Sequence, residues 1–436
     1  MAIPHRPLVL TNARLIDPVS GFDDIGGVLI EDGRIRDLGH AVRKETIGRD
    51  AAVEDCTGLT ILPGLIDARV FIGEPGQESR ETLKTASEAA ASGGITTLLM
   101  MPDTHPAVDD PAVIDFIIRR AQDQAIVKVL PAAALTKGRE GREMSEIGLL
   151  QEAGARAFTD GAKGVSNSQI LRRAMQYARH FDALVMNHLE EPDLAGHGVM
   201  NEGELSSRLG LPGIPIEAET VMLERDIRLA AATGVRYHAS VITTAASVEI
   251  IRRAKAQGLR VTAGTSINHL ALNENDIVGY RTFLKMSPPL RSDHDRRSLV
   301  DAIRDGTIDV IVSDHNPQGT EAKRQPFADA TFGAVGLETL LAAGLRLVHS
   351  GDLTLQQLLI PMTTGPARLL DATSGLLQRK ATADLIVVDL DEPWRVERSA
   401  LRSRSQNTPF DEARMTGRVR LTIVDGRIVF RRNIGD

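Results

Sequence analysis

Hydrophobic and polar positions change their spacing along the chain, and this change divides the chain into three stretches. Near both ends, short apolar runs are joined by an Asp-Gly dipeptide, most clearly at residues 28–35 and 421–430. Asp-Gly between β-branched runs is a strong hairpin signal. The two ends therefore predict a small β-sandwich domain assembled from residues 1–61 and 371–436.

The middle stretch, residues 62–370, alternates short apolar strands with longer amphipathic helices. The clearest strand patterns lie at residues 96–100, 183–186, 259–262 and 310–313. The clearest helix patterns lie at residues 112–122, 218–233, 245–257 and 296–304. This alternation predicts a parallel sheet, and its length fits an α/β fold of the (β/α)8 TIM-barrel type. Chemistry in such barrels takes place at the C-terminal ends of the strands.

Composition narrows the classes of partner and compartment. The 436 residues carry a formal charge of −7, and no dense Lys/Arg stripe offers phosphate neutralisation, so nucleic acid is not an expected partner. A single cysteine, Cys56, excludes an internal disulfide or a cysteine zinc cluster. No apolar run is long enough to span a membrane and no signal peptide is recognisable. We therefore expect no membrane association and a cytoplasmic location.

Polar residues follow several of the predicted strands. Asp314 and His315 come directly after the strand at 310–313. Asp314 could ligate a metal and shuttle a proton, or the pair could form a helix cap or a turn; position alone weighs these evenly. His188, His238 and His269 each follow a different predicted strand. Together with Asp314 they would make a metal constellation, although singly each is more often an ordinary packed histidine.

Asp160 also follows an apolar strand, within the sequence Thr159-Asp160-Gly161. Its carboxylate could bridge two metal ions. The alternative is a solvent-exposed Asp-Gly turn without a functional role, which is common.

The strand that opens the barrel lacks a metal-binding pair. Residues i and i+2 of a strand point to the same side, so His-x-His would place two imidazoles on one metal ion. None of the eleven histidines forms such a pair. The first barrel strand instead offers Arg69 and Phe71. Neither ligates a metal, because arginine stays protonated and phenylalanine has no lone pair.

Motifs along nearly the whole chain resemble the dihydroorotases of the amidohydrolase superfamily, in particular the class found in larger bacterial and multifunctional pyrimidine-synthesis systems. The matching segments occur in the family's order at residues 63–67, 74–78, 93–97, 101–104, 199–204, 208–215, 285–291, 309–317, 332–338 and 405–410. The resemblance implies a metal-bearing barrel with a β-sandwich built from both termini. This is the architecture that the hydrophobic pattern predicts.

The resemblance also assigns roles to positions of this sequence. Three metal-binding histidines of the family are replaced, by Arg69, Phe71 and Val241. His188 matches the remaining metal histidine, Asp314 the catalytic aspartate and metal ligand, and His315 a substrate histidine. Asp160 stands as a remnant of the family's Asp-Asp-Gly carboxylates. The substrate-binding positions are substituted as well, with residues Gly73, Asp103, Ser287 and Gln318.

Three hypotheses follow from these substitutions. The first is a non-catalytic homologue with no metal, or a weakly bound one, that supports aspartate carbamoyltransferase and itself forms a homo-oligomer. The second is an active cyclic amide hydrolase, interconverting dihydroorotate and N-carbamoyl-L-aspartate, with a reduced zinc site of His188, Asp314 and either Asp160 or His238. The third is a barrel that binds a ligand without turnover. In that barrel Arg69 could hold an anion, although pairing with a neighbouring carboxylate is the favoured alternative.

Overall fold

Strands and helices alternate along most of the chain in the computed structural model, which describes residues 6–43 and 51–432. In chain order the strands are β1 Leu8–Asp17, β2 Phe22–Glu31, β3 Arg34–Gly39, β4 Ala52–Asp55, β5 Thr60–Pro63, β6 Leu65–Val70, β7 Ile95–Met100, β8 Lys128–Ala133, β9 Ala157–Phe158, β10 Leu184–Asn187, β11 Met200–Asn201, β12 Gly213–Ile214, β13 Arg236–Ala239, β14 Val261–Ser266, β15 Val310–Val312, β16 Leu385–Arg395, β17 Arg414–Val424 and β18 Arg427–Arg431.

The α-helices lie mainly between the strands of the central stretch. They are α1 Leu83–Ser92, α2 Pro111–Gln124, α3 Ile147–Glu152, α4 Ser168–His180, α5 Pro192–Ala195, α6 Glu204–Leu209, α7 Glu217–Thr233, α8 Ala245–Ala256, α9 Ile267–Ala271, α10 Asp293–Arg304, α11 Thr320–Lys323, α12 Leu340–His349, α13 Leu355–Leu359 and α14 Thr364–Leu369. No helix among the described residues is long and apolar enough to cross a membrane.

Strands from both ends of the chain pair in one eight-stranded sheet. Its order is β18-β17-β16-β5-β1-β2-β3, with β4 also paired to β1. The two predicted Asp-Gly turns join β2 to β3 and β17 to β18, and both of their residues have positive φ, at Asp32-Gly33 and Asp425-Gly426. Such φ values are those of the hairpin turn that twists with its strands. The prediction of a separate β-rich domain from both termini is therefore confirmed, while the domain boundaries themselves remain a prediction.

The central strands form a parallel barrel. The eight strands follow in the order β6, β7, β8, β9, β10, β13, β14 and β15. A bridge between Val70 and His315 links the first strand region to the last, and the backbone N–H of Phe71 donates to the carbonyl of His315 at 2.8 Å. The predicted TIM barrel is thus confirmed.

Small and medium apolar side chains fill the inside of the barrel. They include Ile66, Leu99, Ala132, Met186 and Val312, and all are buried. Because inward side chains from neighbouring strands stack in layers, this packing closes the barrel to solvent below its C-terminal mouth. Polar side chains that follow the strands are consequently displayed above an apolar floor.

Candidate functional site

A cavity of about 330 Å³ opens at the C-terminal ends of the barrel strands. Its charged lining residues are Arg69, Arg80, Asp103, Glu190 and Asp314. They come from the segments after β6, β7, β10 and β15 and from β6 itself. Their convergence is the consequence of parallel strands, whose C-terminal ends meet at one face of the barrel.

Arg69 lies at the centre of this site and is 1% exposed. Its Nε donates to Oδ1 of Asp314 at 2.9 Å, and its Nη1 donates to the carbonyl of Gly161 at 3.4 Å. Its Nη2 lies 3.5 Å from Nδ1 of His188, and its guanidinium carbon is 5.0 Å from the centre of the Phe71 ring. The guanidinium therefore links β6 to the segments that follow β9, β10 and β15. This arrangement matches the favoured sequence alternative in which Arg69 pairs with a carboxylate.

Burial and the charge of Arg69 together shift the pKa values of the neighbouring groups. Burial raises the pKa of the Asp314 carboxyl, and the charge and hydrogen bond of Arg69 oppose this shift. Burial and the Arg69 charge together lower the pKa of His188 to about 3. His188 is consequently neutral at physiological pH, beside an arginine–aspartate pair.

His188 continues into a short polar chain along the cavity wall. Its Nε2 lies 3.1 Å from Oγ of Ser287, and this hydroxyl lies 3.3 Å from Oε2 of Glu190, to which it donates. Burial raises the pKa of the Glu190 carboxyl, while the hydrogen bond from Ser287 acts in the opposite direction. Ser287 therefore links the histidine to a cavity-facing carboxyl group.

Asp103 is neutralised inside the protein. Arg139 forms a close ion pair with its carboxylate, and the backbone N–H of Ala162 donates to it at 3.1 Å. A Cβ atom on Gly161, whose φ is +69°, would lie only 1.5 Å from Oδ1 of Asp103. Asp103 therefore offers no unpaired negative charge to the cavity, and its partner Arg139 lies 36 residues further along the chain, where the sequence alone gives no sign of the pair.

Several predicted metal ligands lie away from this cavity. Asp160 accepts hydrogen bonds from the backbone N–H of Thr136 at 2.9 Å and from its hydroxyl at 2.5 Å. His238 lies within β13 rather than after it, with Nδ1 2.8 Å from the Thr262 hydroxyl. His269 lies in α9, with Nε2 3.0 Å from the carbonyl of Pro288.

The prediction that these histidines and Asp314 surround one metal ion is therefore wrong. In residues 6–43 and 51–432, no three His, Cys, Asp or Glu side chains are grouped so as to hold a metal ion. Val241 packs with the apolar side chains of the barrel interior. Among the described residues, the reduced set of His188 and Asp314 with Asp160 or His238 is not assembled either. Asp160 is bound to Thr136 in the loop after β8, and His238 is bound to Thr262 in β14.

His315 is fully buried and does not line the cavity. Its Nε2 lies 3.4 Å from Oε2 of Glu81, and its Nδ1 accepts from the backbone N–H of Gly336 at 3.3 Å. Glu81 is itself buried and bound by the hydroxyl of Ser403. The role of substrate histidine, which the family resemblance implies for His315, does not fit this position, because the ring turns outward between the barrel and residues of the C-terminal segment.

Comparison with known proteins identifies the family. A family model described as dihydro-orotase-like matches residues 58–247. A dihydroorotase from Syntrophotalea carbinolica is 41% identical over 424 residues, which are 97% of this chain and 99% of that protein. A dihydroorotase from Syntrophus aciditrophicus is 41% identical over 423 residues, with coverage of 97% and 99%. This chain belongs to the dihydroorotase family.

Solved structures show the same architecture at lower sequence identity. The L-hydantoinase of Arthrobacter aurescens superposes with a TM-score of 0.88 and 24% identity, covering 98% of this chain and 96% of that one. The dihydropyrimidinase of Brevibacillus agri gives a TM-score of 0.83 and 20% identity, covering 98% and 95%. These likenesses show that the dihydroorotase-family chain has the same fold, a barrel with a second, β-rich domain.

The residues present do not fit the zinc that the family resemblance implies. Three of its ligand positions hold a guanidinium, a phenyl ring and an isopropyl group, at Arg69, Phe71 and Val241. Asp314 already faces a buried cation, because Arg69 lies 2.9 Å from it. A divalent ion beside His188 and Asp314 would meet the like charge of this guanidinium at close range. In this member of the dihydroorotase family, the guanidinium of Arg69 lies between His188 and Asp314, the two candidate metal ligands that lie beside it.

Proposed function

We propose that this chain is a non-catalytic member of the dihydroorotase family. The observation that carries the proposal is the buried ion pair between Arg69 and Asp314 at 2.9 Å. An aspartate acts as a general base only when it can accept a proton from the reacting group. Here the carboxylate that the resemblance assigns to this step is bound to a guanidinium that cannot release its own proton.

The substrate positions support the same proposal. Gly73 has no side chain with which to hold a substrate carboxylate, and Asp103 is paired with Arg139. His315, which the resemblance assigns to the substrate, is turned toward Glu81. Losses among both the metal-binding and the substrate-binding positions favour a structural role for this chain rather than a catalytic one.

As the role of this fold, we propose a structural subunit in the cytoplasm that supports aspartate carbamoyltransferase and forms a homo-oligomer. The family resemblance supports this partner. Mixing the purified proteins at micromolar concentration and measuring the mass of the assembly by sedimentation tests it. A joint species heavier than either protein alone is expected, and separate sedimentation of the two proteins would refute the partner.

The second candidate is an active, zinc-dependent dihydroorotase. The names of its relatives favour it, since proteins called dihydroorotase share 41% of their residues with this chain over nearly its whole length. This candidate requires His188 and Asp314 to be freed from Arg69 so that a metal ion can be held there. It would interconvert dihydroorotate and N-carbamoyl-L-aspartate.

One assay separates the two candidates. Dihydroorotate hydrolysis and N-carbamoyl-L-aspartate cyclisation are measured on the purified chain, with and without added zinc, together with its bound metal. We expect no turnover above background and no stoichiometric zinc. Turnover that disappears in an Asp314→Asn variant purified in the same way would establish the active enzyme, because a contaminating enzyme would persist in that preparation.

A further inference from the structure

Two of the charged side chains that line the cavity lack an oppositely charged partner. Arg69 and Asp314 neutralise each other, and Asp103 is neutralised by Arg139. Arg80 and Glu190 form no ion pair with any described residue. The cavity thus presents one cation and one acidic group that no residue in 6–43 or 51–432 neutralises by contact.

Arg80 is held rigidly but by neutral groups only. Its Nε donates to the carbonyl of Pro317 at 2.8 Å, Nη1 donates to Oε1 of Gln77 at 2.7 Å and Nη2 donates to Oδ1 of Asn316 at 2.8 Å. A guanidinium carries five N–H donors, so two remain available. A fixed, partly desolvated arginine with free donors is the group that proteins use to bind a carboxylate.

Glu190 offers the opposite charge. One of its oxygens accepts the hydroxyl of Ser287 at 3.3 Å, and Arg291 acts on it only from a distance. Arg291 is itself bound to Asn201 and to the carbonyl of Ile214. A ligand ammonium beside Glu190 would give this cavity-lining carboxyl group the positively charged hydrogen-bond partner that no described residue supplies by contact.

The two groups lie on opposite walls of the same cavity. Arg80 belongs to the segment between β6 and α1, and Glu190 follows β10. In the barrel order, β10 is separated from β6 by three intervening strands in either direction. Apolar side chains, including Phe71, Ile72 and Phe332, line the space along with them.

We infer that this cavity binds a small zwitterion, with its carboxylate at Arg80 and its ammonium at Glu190. A cavity of about 330 Å³ lies at the small end of ligand sites, so the class is a free amino acid with a short apolar spacer between its charges. The inference rests on the proposed function in one respect: the cavity must not be the active site of a cyclic amide hydrolase.

A ladder of linear amino acids tests this inference on the full chain. The probes are glycine, β-alanine, 4-aminobutanoate, 5-aminopentanoate and 6-aminohexanoate, measured by calorimetry and by the shift in melting temperature. For each length, the alkanoate and the alkylamine that carry only one of the two charges serve as matched controls. One length should bind best, with about tenfold or greater preference over both controls.

Two variants assign the ends of the ligand. Arg80→Gln should remove the preference for the amino acid over the alkylamine, and Glu190→Gln should remove its preference over the alkanoate. Arg119→Gln, which alters an exposed arginine paired with Asp115, should leave binding unchanged. Because the ladder is measured on the unaltered chain, the inference stays testable even if a cavity variant fails to fold.

Three results would overturn the inference. These are the absence of binding by every member of the ladder, equal binding of the singly charged controls, and stronger binding of the dianion N-carbamoyl-L-aspartate than of any zwitterion. The hydrolysis assay is read separately. A chain that neither binds the ladder nor hydrolyses dihydroorotate loses this inference and keeps the proposed function, whereas turnover removes the proposed function.

Discussion

At the scale of single residues, Arg69 connects the other parts of the site, because it contacts Asp314, Gly161 and His188. It is among the largest fully buried side chains of the described chain. A buried ion pair adds little net stability compared with apolar packing, but removing one partner leaves an uncompensated buried charge. The pair is therefore a constraint on both residues, because neither can change alone without cost.

We predict that Arg69→Met lowers the free energy of unfolding by about 3–5 kcal/mol, because it leaves the Asp314 carboxylate without its cation. Asp314→Asn in the same chain removes the orphaned charge, and asparagine tolerates the positive φ of this position, which is 52°. The double variant should therefore be more stable than Arg69→Met alone. Denaturant unfolding of the unaltered chain, the two single variants and the double variant forms a double-mutant cycle, which measures the coupling free energy between Arg69 and Asp314.

The exposed pair of Arg119 with Asp115 supplies the control for this cycle. Arg119→Met should change the free energy of unfolding by no more than about 1 kcal/mol, as is usual for surface pairs. If the effects of Arg69→Met and Asp314→Asn add to within about 0.5 kcal/mol, the two residues are independent. Additivity would contradict the interpretation of the site as one coupled pair.

The sequence predicted that polar residues follow the barrel strands, but not where their side chains point. Asp160 and His315 both follow strands, as expected, yet each turns to a partner on a neighbouring segment, Thr136 and Glu81. A residue that directly follows a parallel strand must lie at the C-terminal end of the barrel. The direction of its side chain depends instead on contacts with distant parts of the chain. Arg139 was overlooked for the same reason, since only the fold brings it to Asp103.

At the scale of elements, the loop after β6 is tightly folded at Gly73, the position to which the family resemblance assigns a substrate arginine. The backbone N–H of Gln77 donates to the carbonyl of Gly73 at 2.5 Å. A Cβ atom at Gly73 would lie 2.1 Å from the carbonyl oxygen of Gln77. This tight loop continues to Arg80, so glycine at position 73 is part of what positions the cavity arginine.

We predict that Gly73→Ala destabilises the chain by about 1–3 kcal/mol, because the backbone of the loop must move to admit even a methyl group. Gly319→Ala is the matched control, since no heavy atom lies within 4 Å of the Cβ it would add. Melting temperatures of the two variants give the comparison. Equal melting temperatures would show that the loop accommodates a side chain, and that the loss of the family arginine is not enforced by the backbone.

Element boundaries followed the sequence pattern to within a few residues. The helix expected at 296–304 begins earlier, at Asp293, because Ser292 accepts the backbone N–H of Asp295 and caps the helix there. The strand expected at 259–262 begins later, at Val261. Apolar periodicity marks the buried face of an element, whereas its first residue is set by a cap or a pairing partner.

At the scale of the whole molecule, the two predicted domains are joined by a charge cluster around the buried Asp384, which the sequence did not reveal. Lys128 at the start of β8 lies 2.7 Å from Asp384 and 2.8 Å from Asp425. Asp384 is fully buried and also accepts the hydroxyl of Ser374 at 2.6 Å. The cluster connects the barrel with the C-terminal strands at the end of β8 opposite the cavity.

We predict that Lys128→Met lowers the free energy of unfolding by about 3 kcal/mol, because it leaves Asp384 buried without its cation. Lys137→Met is the control, since its pair with Glu143 is exposed and should contribute less than about 1 kcal/mol. Since β8 begins far from the barrel mouth, amino acid binding in the cavity should be unchanged in both variants at temperatures where they are folded. A loss of binding in Lys128→Met without a loss of stability would mean that the domain junction shapes the cavity, and that barrel and β domain act as one unit in ligand recognition.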